Sequence, residues 1–179
     1  AGSDRQWVLW DLKSGAIIRR LLGHQGPVLA AVISSDGSSA ISSSYDGTLR
    51  LWNLSSGQTE TIFEGHRFNV NDVALSKSGE IMVSGSVDET VKIWDVTTGR
   101  NSKTFYGHEG FVASVAITPN GKRVLSGGRD RIVRLWEVTT GKLLHSMKGH
   151  EKAVWSVAFS PDGKTALSGG GDEVLRLWD

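Results

Sequence analysis

Apolar and polar residues alternate along this chain in short runs bounded by turn residues. Residues 70–76 ("VNDVALS"), 80–86 ("EIMVSGS"), 90–96 ("TVKIWDV") and 101–107 ("NSKTFYG") are β-type runs. Punctuation falls at Ser78-Gly79, at Asp88-Glu89 and at Thr97, Thr98 and Gly99. Elsewhere Asp36-Gly37, Asn120-Gly121 and Asp162-Gly163 supply dipeptides that favour tight hairpins. No window sustains a helical period. The pattern predicts an all-β fold built of four-stranded antiparallel meanders. The first strands ("VLAAVI", "VNDVAL", "VASVAI", "VWSVAF") are apolar on both faces, as suits a strand sandwiched between neighbouring sheets. The last strands ("IIRRLL", "KLLHSMK") carry charge, as an outer edge should.

The meander repeats. Gly-His occurs at Gly23-His24, Gly65-His66, Gly107-His108 and Gly149-His150, each step being 42 residues. Trp followed by a polar residue recurs at the same step, at Trp10-Asp11, Trp52-Asn53, Trp94-Asp95, Trp136-Glu137 and Trp178-Asp179. No insertion interrupts the period. We divide the single domain, residues 1–179, into repeats 16–57, 58–99, 100–141 and 142–179, with 1–11 a surplus partial repeat. That surplus shares its register with residues 169–179: Asp4, Leu9, Trp10 and Asp11 match Asp172, Leu177, Trp178 and Asp179.

A period of about 40–45 residues carrying Gly-His and then Trp-Asp resembles the WD-repeat β-propeller family. The resemblance spans essentially the whole chain. It implies four blades, each a four-stranded meander, and a protein-interaction role without catalysis.

Each unit also carries a histidine, a serine, an aspartate and a tryptophan: His24, Ser42, Asp46, Trp52; His66, Ser84, Asp88, Trp94; His108, Ser126, Asp130, Trp136; His150, Ser168, Asp172, Trp178. A hydrolytic triad is needed once, in one cleft beside an oxyanion hole. Four copies at equal spacing argue instead for a structural part made once per sheet, and no G-x-S-x-G elbow presents a nucleophile. The aspartate belongs to the turn between the second and third strands, and the histidine precedes the first. Both lie at one end of the sheet, within reach of a hydrogen bond that fixes the imidazole tautomer. The other ring nitrogen can meet the serine, which can accept from the indole N–H. The family resemblance implies this same network. No catalytic, cofactor or metal site is expected.

Composition narrows the partner. Twenty basic residues against nineteen acidic ones give a net charge of +1, which removes the main reason to expect nucleic acid or an acidic membrane surface. There is no cysteine, hence no disulfide or thiolate site. No apolar run approaches the ~18–20 residues of a membrane span. The start of the chain has no apolar signal core, and Ala1-Gly2-Ser3 reads as a processing or cloning scar. A cytoplasmic location is expected. His145 reads as a surface histidine on an outer strand. The "SGGGD" of 168–172 lacks the Lys-Ser/Thr of a phosphate loop and matches "SGGRD" and "SGSVD" in register. Arg50, Lys92, Arg134 and Arg176 form one repeated position expected on a solvated outer wall, and Arg123, Arg129 and Arg131 make the third unit locally basic.

By the same resemblance, binding falls on upper-face positions that vary while the frame does not: Pro27, Asn69, Phe111 and Ala153; Leu29, Asn71, Ala113 and Trp155; Tyr45, Val87, Arg129 and Gly171. The candidates for a protein or peptide partner are Tyr45, Asn69, Asn71, Phe111, Arg129 and Trp155, which include the aromatic and arginine types enriched at hot spots. Three closures are open: a four-bladed ring, a head-to-tail pair of chains, or a piece of a longer array. At about 45–51° per blade, four blades sweep about half a circle. We therefore expect a homodimer forming an eight-bladed ring. Residues 16–22 would complete the last unit, within a chain or across chains, and residues 1–10 would be displaced. The alternative is a structural or engineered self-assembling propeller fragment without a dedicated ligand.

Overall fold

The structure is a computed structural model and describes residues 6–179. Ala1-Gly2-Ser3 and Asp4 lie outside the described residues. Among the described residues seventeen strands form five antiparallel sheets. A hairpin joins β1 (Gln6–Trp10) to β2 (Ile17–Leu22). The first full sheet is β3 (Val28–Ile33), β4 (Ser39–Ser44), β5 (Leu49–Asn53) and β6 (Thr59–Phe63). The second is β7 (Val70–Leu75), β8 (Ile81–Ser86), β9 (Val91–Asp95) and β10 (Asn101–Phe105). The third is β11 (Val112–Ile117), β12 (Arg123–Gly128), β13 (Ile132–Glu137) and β14 (Leu143–Lys148). The last has three strands, β15 (Val154–Phe159), β16 (Ala166–Gly170) and β17 (Leu175–Trp178). In every full sheet the strands pair in sequence order, as the turn dipeptides predict.

Successive sheets stack face to face. Ile41, Leu49 and Phe63 of the first sheet bury Val70, Val73, Met82 and Trp94 of the second. The second uses Val83, Val91 and Phe105 on Val112, Val115, Val124 and Trp136 of the third. The third uses Leu125 and Val133 on Val154, Val157 and Ala166 of the last. Each sheet thus has a trailing face, contributed by strands two to four, and a leading face centred on strand one. Glycine is required at the second and third seams, where the first has Ser43. A Cβ at Gly85 would sit 2.7 Å from Val112 Cγ1, and one at Gly127 would sit 2.6 Å from Val154 Cγ1. Polar links cross the seams too. Asp72 accepts from Ser114 Oγ at 2.8 Å and from the Val115 N–H at 2.9 Å. Ser114 Oγ accepts in turn from the Val157 N–H at 3.3 Å.

The ends differ from the expected arrangement. Residues 6–10 are not displaced: they pair with 17–22, through a turn in which Asp11 accepts from the Ser14 N–H and hydroxyl at 2.6 and 2.7 Å. The hairpin seats Trp7, Leu9 and Leu21 on Ala40, Trp52 and Leu54 of the first sheet. Arg19 ties it down by donating to the Ser55 and Ser56 carbonyls. The last sheet keeps three strands, and residues 16–22 do not complete it within the chain. Among the described residues no buried core cluster joins the hairpin to the last sheet. Leu175 is 72% exposed and Leu177 73%, with Leu167 and Ile33 about half exposed.

Candidate functional site

The four polar quartets form the frame of the upper edge. In the first sheet the Trp52 indole donates to Ser42 Oγ at 2.8 Å, His24 Nε2 lies 2.8 Å from that hydroxyl, and His24 Nδ1 lies 2.9 Å from Asp46 Oδ2. The indole can only donate, so Ser42 O–H donates onward to Nε2 and Nδ1–H donates to the carboxylate. The same chain links Trp94, Ser84, His66 and Asp88 (2.8 Å throughout). Trp136, Ser126, His108 and Asp130 follow it at 2.8, 2.7 and 3.0 Å. Trp178, Ser168, His150 and Asp172 follow it at 2.8, 2.8 and 2.9 Å. The serines are 0–1% exposed, so none of these hydroxyls can meet a substrate.

The charges follow from these contacts. Burial works against the Asp46 carboxylate, but the Thr48 hydroxyl and N–H, the Gln25 N–H and His24 outweigh it and bring its pKa down to about 2. Asp172 is likewise brought to about 2, led by the Glu151 N–H. Asp88 and Asp130 lie well below the usual carboxylate range despite burial, His66 and His108 being their foremost stabilising partners. Burial pushes His24 down, so it stays neutral.

One expectation is corrected here. Arg134 is not on a solvated wall: it is 6% exposed and donates to Asp130. The turn differs here as well. Thr48 and Thr90 hydroxyls donate to Asp46 and Asp88 at 2.7 and 2.6 Å, whereas Ile132 and Val174 have no hydroxyl to offer Asp130 and Asp172. Arg134 donates to the other oxygen of Asp130, while among the described residues no ion pair joins Arg176 to Asp172.

Above the frame, a bulge repeats at the start of every first strand. The ladder skips from Val28 to Ala30, Val70 to Asp72, Val112 to Ser114 and Val154 to Ser156. The extra residues are Leu29, Asn71, Ala113 and Trp155, one set of the variable positions. A bulge re-aims its side chain, so the scaffold itself turns these residues out of the ladder. Trp155 is 57% exposed and stacks on Phe111, with ring centroids 5.7 Å apart and planes 27° from parallel. Asn71, Val87, Phe111, Ala113 and Trp155 line one shallow cleft, where Asn71 Nδ2 donates to the Val112 carbonyl at 2.8 Å.

Tyr45, Asn69 and Arg129 are not in this cleft. Tyr45 and Arg129 are exposed, Asn69 is half-buried, and the Arg129 side chain lies over Gly110. Phe68, 58% exposed in the loop before β7, was missed. Its signal was available: Gly26, Gly110 and Lys152 stand at the matching positions.

Comparison with known proteins agrees with this architecture. The family description "WD domain, G-beta repeat" matches residues 15–53, 57–95, 99–137 and 141–179. The chain is also similar to the small ribosomal subunit protein RACK1 of Glycine max, 46% identical over 56 residues, which is 28% of this chain and 17% of the relative. It is similar to the small ribosomal subunit protein RACK1z of Arabidopsis thaliana, 45% identical over 56 residues and the same shares of each chain. The match therefore spans about a sixth of these relatives' length. Among the described residues no helix is long and apolar enough to cross a membrane. Matched four times over most of its length, the chain belongs to the WD-repeat family.

Proposed function

We propose that this chain is a protein-interaction scaffold with no catalysis of its own. It offers the rigid upper edge of its blades to a protein or peptide in the cytoplasm. The observation that carries this reading is Trp155, turned out of the ladder by a bulge and stacked on Phe111 above the frame. A frame fixed by four buried quartets, with variation concentrated on the bulged residues, suits selective contact rather than chemistry. The balanced charge favours a protein over nucleic acid or a membrane. The relatives' names place them in a ribosomal subunit, which supports an assembly-bound role.

In this reading two copies join head to tail into one eight-bladed ring. At about 45–51° per blade four blades make about half a ring, which supports the pairing. The second reading is a structural or engineered self-assembling fragment without a dedicated ligand.

A displayed peptide library panned on the chain tests the first reading. Binders should be lost on Trp155→Ala or Arg129→Ala while the denaturation midpoint holds. Binders indifferent to both substitutions overturn the assignment.

A further inference from the structure

One repeated position is filled differently in the second blade, and a pocket opens beside it. In the first, third and last blades that position is an arginine lying along the glycine of Gly-His. A Cβ at Gly23 would sit 2.6 Å from Arg50 Nη1, one at Gly107 3.9 Å from Arg134 Nε, and one at Gly149 3.5 Å from Arg176 Cδ. The second blade has Lys92 instead, and a Cβ at Gly65 would meet only the Trp94 ring. Lysine has no guanidinium to spread over the glycine. The Lys92 ammonium leans the other way and donates to Thr104 Oγ1 of its cross-strand neighbour at 3.0 Å. A pocket of about 340 Å³ is left, lined among others by Gly65, Arg67, Glu89, Lys92, Tyr106 and Gly107.

The charges of this pocket do not cancel one another. Asp88 reaches it, but its oxygens already accept from His66, the Arg67 N–H and both Thr90 donors. Among the described residues no ion pair includes Arg67, Lys92 or Glu89. Lys92 is half-buried, with one neutral acceptor for its three N–H groups. Arg134 at the same position does pair, with Asp130. A half-buried ammonium short of acceptors favours an anion beside it. Arg67 is exposed at the rim, and Tyr106, 74% exposed, adds a phenol that can donate.

The count of charges selects the anion. Two unpaired cations against the single carboxylate of Glu89 leave the pocket one positive charge over. One carboxylate restores the balance. A phosphate monoester carries about −1.5 to −2 at neutral pH and would overshoot beside Glu89. A further cation would add to Arg67 and Lys92. We propose that this pocket binds one carboxylate, from an Asp or Glu side chain of a partner, held by the Arg67 guanidinium and the Lys92 ammonium. The site shares no lining residue with the cleft of Phe111 and Trp155. It rests on the interaction reading above only for the source of the carboxylate.

A nuclear magnetic resonance titration of the chain with N-acetyl-aspartate amide, which carries a single carboxylate, tests this. The Gly65, Arg67 and Gly107 amide resonances should shift and saturate. Arg67→Gln should weaken binding about two- to fivefold. Lys92→Arg keeps the charge but refills the space beside Gly65, so binding should be lost while the denaturation midpoint holds. Unchanged binding by Lys92→Arg overturns the pocket as the site. Tighter binding of N-acetyl-phosphoserine amide overturns the choice of carboxylate over phosphate. Shifts of the same amides by N-acetyl-arginine amide overturn the sign of the site, and the absence of any saturable shift overturns the proposal outright. The role of Trp155 is read separately by the peptide panning, so either assignment can fail alone.

Discussion

The Thr48 hydroxyl donates to Asp46 Oδ1 at 2.7 Å, and this one contact shows how the frame tolerates substitution. The third blade has Ile132 at that position and Arg134 buried against Asp130. Arg134→Met should lower stability by about 1–3 kcal/mol, because it leaves a buried carboxylate short of a donor. Adding Ile132→Thr should recover part of the loss. A double-mutant cycle of denaturation midpoints reads this coupling, and additive effects would refute it.

Asp88 accepts from His66, the Arg67 N–H and both Thr90 donors. Asp88→Ala strands these donors in a mostly buried site. Unfolding free energy should fall by about 1–3 kcal/mol. An unchanged urea midpoint would deny the quartet its structural role.

Acid should unfold the protein in two stages. His24 is neutral in the fold with a lowered pKa. The unfolded chain takes up that proton first as pH falls through about 6.5, so stability begins to decline there. Asp46 and Asp172 have folded pKa values of about 2. Their contribution is complete above the unfolded value of about 4 and is lost as pH falls towards the folded one. Asp72 runs the other way: burial raises its pKa, so the fold takes its proton before the unfolded chain does. A thermal midpoint that stays level from pH 7 to pH 3 would contradict this assignment.

Glu89, at the turn position held by Gly47 in the first blade, has φ of 68°. That left-handed conformation disfavours any residue with a Cβ. Glu89→Gly should raise stability by about 0.5–1 kcal/mol, after allowing for the extra freedom glycine brings to the unfolded chain. Calorimetry would show an increase in melting temperature.

Gly127→Ala would drive a methyl into Val154 and force the third and last blades apart. A loss of about 1–3 kcal/mol is expected. Gly79→Ala, whose Cβ meets nothing within 4 Å, separates this clash from backbone strain, since Gly79 has φ of 79° while Gly127 is not in that region.

Much of this architecture was legible in the residues. The period, the strand order within a blade and the membership of each quartet follow from Gly-His, the turn aspartates and Trp at constant spacing. The bulge was not legible, because counting alternate residues cannot show that Trp155 is an extra residue in its ladder. Arg134 was misplaced because one repeated position holds four basic residues, and only the fold shows that this one reaches its turn aspartate, Asp130. The hairpin went against expectation for a local reason. Residues 6–10 find 17–22 across a short turn held by Asp11 and Ser14, whereas any other partner is far along the chain. Phe68 escaped because it stands one residue before the first of the three positions considered in each unit.

The sequence repeat and the folded sheet are out of phase, so every seam between repeats falls inside a sheet. An unequal crossover in the gene that gains or loses one repeat would leave the reading frame intact. Whatever number of repeats results, each new junction would again fall between the third and fourth strands of a sheet. Growth by duplication therefore adds a blade without disturbing the strand order of its neighbours.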